Sequence, residues 1–61
     1  MISIQTLEPG TRVKLAGGII AEVRDNPRDG SWLVVRYLEV PSGTPSVSDE
    51  MAHADEVIEV L

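Results

Sequence analysis

The chain has no cysteine, only one Trp and one Tyr, and few basic residues, all within 61 residues. Without Cys there is no disulfide or thiolate metal site to staple a small fold, and no thiol nucleophile. That lack fits a cytoplasmic setting. Long apolar runs are missing too: none approaches the ~20 residues of a membrane helix. The start, "MISIQTLEPG", lacks the basic region and apolar stretch of a signal peptide. The expectation is a complete small soluble protein starting at Met1, with residues 1–61 as a single domain. A chain this short buries only about 60% of the surface its unfolded form exposes. Its stability must come from an efficient core, a partner or self-association.

Acidic residues outnumber basic ones by 10 to 5, a net charge of −5. Binding by phosphate neutralisation needs a basic footprint, so this balance disfavours nucleic acid, and anionic membrane for the same reason. Arg24, Arg28 and Arg36 fall near one hairpin, but Glu22, Asp25 and Asp29 are interleaved with them.

What is present is strand pattern and turn chemistry. In "LEPGT", Pro9 presets φ and Gly10 supplies the positive φ of a type II turn. "TRVKLA" then alternates, Val13 and Leu15 on one face and Arg12 and Lys14 on the other, the period of a half-buried strand. "AGG" at 16–18 turns the chain back. "IIAEVRD" is the second strand, with Ile19, Ala21 and Val23 on one face and Ile20, Glu22 and Arg24 on the other. "NPRDG" closes a hairpin, with Pro27 starting a helical-type loop, Arg28 and Asp29 continuing it, and Gly30 in the left-handed position. "SWLVVRYLEV" is the third and longest strand. "PSGTPSVS" is a loop, "DEMAHA" a short fourth strand, "ADEV" a single 3-10 turn, and "IEVL" a last strand with Ile58 and Val60 inward. Ser46 and Asp49 also fit capping-box spacing, so 46–55 could form a helical turn or two. The Pro and Gly before it and the strand-like tail after it favour strand.

Short strands with Gly/Pro turns indicate an all-β barrel or sandwich. The order of tight hairpin, long third strand, loop, short strand, single turn and terminal strand resembles an SH3-like barrel. "PGTRVKL" and "ADEVIEV" are similar to the first and last strands of many such domains. The resemblance spans nearly the whole chain at the level of fold, and implies a small five-stranded antiparallel barrel with one 3-10 turn before the last strand. Two relatives with this fold give alternatives. The plasmid-type dihydrofolate reductases assemble a site at a symmetry axis, but their Val-Gln-Ile-Tyr stretch has no match here; "EMAHA" is the nearest region. The KOW-type RNA-binding domains share the early strand-Gly-strand pattern but are typically basic, whereas this chain is acidic.

No catalytic constellation is visible. His53, the lone His, has Glu50 and Asp55 nearby in sequence, but Glu50 falls on the opposite strand face. Ser31, Ser42, Ser46 and Ser48 lie in turns or the loop, with no Gly-x-Ser-x-Gly elbow. "DNPRDG" fails as a calcium loop, since Pro27 and Arg36 occupy positions that require oxygen ligands. "AGGIIAEV" lacks the Lys-Ser/Thr of a phosphate loop. The expectation is therefore no enzyme, no metal and no cofactor. The acidic "SDE" and "ADE" segments read as a solvated face.

The third strand is apolar on both faces, unlike a strand with one wet face. Leu33, Val35 and Tyr37 are assigned inward with Val13, Leu15, Ala21, Val23, Ile58 and Val60. Trp32, Val34 and Leu38 then face outward beside Ile20. Either the N-terminal arm (Ile2 and Ile4) or the 40–49 loop covers that face, or it is an exposed patch marking an interface. The function expected is a non-enzymatic protein-binding or self-associating module. Its partner is a protein or a second copy, met through Ile20, Trp32, Val34 and Leu38.

Overall fold

The computed structural model describes residues 3–41, 43–45 and 48–61. Five antiparallel strands form one curled sheet, a half-barrel: β1 (Arg12–Leu15), β2 (Ile19–Asp25), β3 (Trp32–Glu39), β4 (Glu50–His53) and β5 (Val57–Val60). A 3-10 turn, Ala54–Glu56, joins β4 to β5. The order across the sheet is β4-β3-β2-β1-β5, so among the described residues β4 and β5 are its two edges. The all-β class, the antiparallel strands and the single turn before the last strand agree with the sequence pattern.

The turns form where their residues demand it. Thr11 N–H donates to Glu8 O at 3.1 Å, and Gly10 sits at φ +96°, the type II geometry that Pro9-Gly10 encodes. Leu15 and Ile19 pair across Ala16–Gly18 to close the first hairpin.

Alternation along the strands builds the core. β1 gives Val13 and Leu15, β2 gives Ala21 and Val23, and β3 gives Leu33 and Val35. Ala52, Ala54 and Val57 complete it from β4, the turn and β5. Tyr37 and Ile19 pack against its rim. Burial, then the nearby carboxylates of Glu50 and Glu56, push the Tyr37 hydroxyl pKa above its ordinary value.

Four sequence expectations are corrected. Ile58 is not inward but 55% exposed. Lys14 pairs with Glu59 and Leu15 with Val57, so the β1–β5 ladder skips Ile58. This bulge shifts the alternation and turns Val57 inward in its place. Val60, opposite buried Val13, is still 41% exposed, on an edge strand of the sheet. Ile4 does not cover the outer face; it is buried in the core with Leu7. Ile2, Ser42 and Ser46 lie outside the described residues.

The fourth correction concerns the 26–31 loop. Gly30 takes its left-handed φ of +80°, but Arg28 is left-handed too, at +63°. Asn26 explains this. Its Oδ1 accepts the Arg28 N–H at 2.8 Å, an Asx turn. Its Nδ2 donates to Ile4 O at 2.9 Å and Leu7 O at 2.8 Å, clamping the N-terminal turn onto the sheet. Arg28 Nη1 adds a bond to Gln5 O at 2.9 Å. Gly30 also lies close to that turn: a Cβ there would sit 3.1 Å from Gln5 Nε2.

Candidate functional site

Residues opposite one another in an antiparallel pair share a face of the sheet. Trp32 pairs with His53 and Val34 with Met51, flanking the inward pair Leu33–Ala52. Trp32, Val34, Met51 and His53 therefore stand together on the outer face, at the β4 edge. Trp32 is 40% exposed and Met51 54%. Neither belongs to the core cluster.

The loop and the 3-10 turn fix the position of this group. Asp29 Oδ1 accepts the N–H groups of Ser31 at 2.8 Å and Trp32 at 3.0 Å, holding the start of β3. These bonds, Ser31 first, favour the ionised carboxylate and lower the Asp29 pKa. Ala54 N–H donates to Ser31 O at 2.7 Å, locking the turn to the same end of β3. The Trp32 ring meets the His53 ring edge-on, centroids 4.9 Å apart at 83°, a favoured aromatic arrangement. His53 Nδ1 accepts the Asp55 N–H at 3.2 Å, and the Asp55 carboxylate lies 3.6 Å away. His53 N–H in turn reaches Glu56 Oε1 at 3.4 Å, so His53 and Glu56 cap the turn reciprocally. In the neutral ring an accepting Nδ1 places the proton on Nε2.

Next along the outer face is a charged belt. Glu22 pairs with Arg36 across β2 and β3. Asp49 Oδ1 takes Arg36 Nη2 at 3.3 Å and Arg24 Nε at 3.8 Å, and Glu22 lies 3.9 Å from Arg24. All are substantially exposed, so each pair contributes little stability, about 0–1 kcal/mol. Their effect is on register and surface character.

The structure places the four sequence-assigned residues in two groups. Trp32 and Val34 are neighbours at the β4 edge. Ile20, opposite Lys14 and Glu39, and Leu38, which the β2–β3 ladder skips, lie at the other end of the face beyond the Arg36 belt. Ile20, Val34 and Leu38 are half-buried without packing on the core. Sequence reasoning missed Met51 and His53 as neighbours of Trp32, and Asp49 as the acid shared by two arginines. The signal for them is the β3–β4 register, which becomes visible only once the intervening loop is closed.

Among the described residues no group of His, Cys, Asp or Glu is arranged to hold a metal, and no helix is long and apolar enough to cross a membrane. No family model, no curated protein and no solved structure matches the chain.

Proposed function

We propose that the chain is an SH3-like barrel acting as a small non-enzymatic module that binds a protein or a second copy of itself. The observation that carries this reading is Trp32 and Met51 standing exposed, diagonally across β3 and β4, on the outer face at an edge of the sheet. Among the described residues no second layer buries them, and exposed apolar groups ringed by polar ones mark contact surfaces. Trp is among the residues most enriched at interface hot spots. The strand order, with its single turn between β4 and β5, supports the SH3-like assignment. Arg24 and Arg36 pair with acids on this face, Arg12 stands opposite Glu22 and Lys14 opposite Glu59, and the net charge is −5, which together favour a protein partner over RNA. His53 has a structural task in capping the turn, in keeping with a non-catalytic role. A cytoplasmic setting accompanies this reading of a cysteine-free chain.

The test is capture of binding proteins, including untagged copies of the chain, by the immobilised wild type and its Trp32→Ala variant. The expected result is a complex with the wild type, weakened in the variant by about 2 kcal/mol, roughly thirtyfold, with an unchanged circular dichroism spectrum. Equal capture by both, or by neither, contradicts the reading.

A further inference from the structure

The β4 edge carries a pattern that selects its own occupant. Ala54 N–H points to β3, where it bonds Ser31 O. By strand alternation the amides of Ala52 and Glu50 point the same way and that of Met51 points to the open edge, while the His53 amide, on the same side, is already taken by Glu56 Oε1 at 3.4 Å. An edge strand with outward amides is a template for another strand. We propose that the partner is a second copy of this chain, added antiparallel along β4 about a two-fold axis at Met51. This names the partner of the contact surface proposed above and rests on that reading for the choice of face.

Charge selects the register. A two-fold axis normal to the sheet keeps inner faces together, so only axes through a residue and perpendicular to the sheet are in phase. With the axis at Met51, the methionines oppose each other and His53 stands opposite Asp49 of the second copy. His53 Nε2 and Asp49 Oδ2 have no partners among the described residues, so a donor meets an acceptor there. The merged outer face then reads Val34, Met51, Met51, Val34 across its centre. On each side it is flanked by a row of Trp32, His53, Asp49 and Arg36, the last two from the second copy. On the inner side Glu50 opposes Ala52. An axis at Glu50 would oppose two glutamates, and one at Ala52 would set Asp49 against Asp55; like charges directly opposite are destabilising. An axis at His53 would run into the 3-10 turn.

The other edge lacks this pattern. β5 exposes Ile58, Val60 and Leu61, but its ladder is broken at Ile58, and bulges are a common device that blunts edges. The β4 edge is four residues long, so the contact falls below the ~1,200 Å² of a stable interface and the dimer is weak.

Sedimentation across a dilution series tests this, together with oxidation of single-cysteine variants, which the cysteine-free chain makes unambiguous. Directly opposed strand residues lie within the ~4.4–6.8 Å Cα range of a disulfide. The expected results are a wild-type monomer–dimer equilibrium, rapid disulfide dimers of Met51→Cys, and slow ones of Ile58→Cys. Met51→Lys, a change at an exposed site, should keep the thermal transition and weaken dimerisation by about tenfold or more. Equal cross-linking of the two variants, or an unweakened Met51→Lys dimer, overturns the proposal. A wild type that stays monomeric while capturing another protein through Trp32 overturns the second copy alone. Loss of both overturns the contact-surface reading as well.

Discussion

The two faces of β3 are almost equally apolar in sequence and opposite in use. Leu33 and Val35 are fully buried against β1, β2 and β4, whereas Trp32 is exposed and Val34 half-buried, each one residue away. The inner set is held by the curl of the sheet and by Ile4 and Leu7 folded under it. The outer set has a neighbour on β4 and, among the described residues, does not belong to the core cluster. Hydrophobicity alone therefore does not assign a residue to the fold. What separates the two faces is which of them the rest of the described residues pack against.

The sharpest way to break the comparison is to truncate one side chain on each face. Leu33→Ala should destabilise the fold by about 2–5 kcal/mol, from lost burial and the cavity left behind. Val34→Ala should cost less than about 1 kcal/mol, since its side chain is off the core. Urea denaturation measures both, and similar costs would erase the distinction between the faces.

Asn26 holds the inner layer closed. Asn26→Ala leaves the Leu7 carbonyl without its Asn26 donor and the Ile4 carbonyl with only the Leu7 N–H, and should cost about 2 kcal/mol. Hydrogen exchange should show lost protection beginning at residues 4–7, not in β3. Gly30→Val works at the same clamp, through a left-handed backbone and contact with Gln5. It should cost about 1–2 kcal/mol, and an unchanged denaturation midpoint would count against the loop geometry.

The smallest effect concerns Asp29, which anchors the backbone of Trp32. Its pKa in the folded chain lies below the ordinary value of 3.8, whereas the unfolded chain keeps the ordinary value. Its contribution is therefore complete above that ordinary value and is lost as pH falls through the lower folded one. Carbon-detected NMR should find the Asp29 carboxyl titrating below 3.8, and Asp29→Ala should flatten that part of the acid-side stability profile. Titration at or above the ordinary value would contradict the capping of β3.

Much of the inner face was legible in the sequence because it follows from local alternation. Val13 with Leu15, Ala21 with Val23, and Leu33 with Val35 each show period two within one strand. The Pro9-Gly10 turn and the turn at Ala54–Glu56 are equally local. The bulge at Ile58 was not legible, because it is a property of the β1–β5 pair. Nor was the burial of Ile4 and Leu7, which depends on hydrogen bonds from Asn26 spanning 22 and 19 residues. Half of the outer-face site was legible, Trp32 and Val34 as outward apolar residues. Its other half, Met51 and His53, follows from a register set across the 40–49 loop. Arg36 lies on the same face between Val34 and Leu38, and divides what the strand pattern alone presents as one patch.

The central claim is that the outer face at the β4 edge is a contact surface and the inner face is the fold. The emission of the single Trp tests it most directly, followed by dilution alongside sedimentation. At low concentration Trp32 should emit at long wavelength and be quenched readily by acrylamide. As a partner covers this face, emission should move to shorter wavelength and quenching should fall, with the same midpoint as the sedimentation change. Emission at short wavelength at every concentration, with the protein sedimenting as a monomer throughout, would place the ring in the interior and contradict the account.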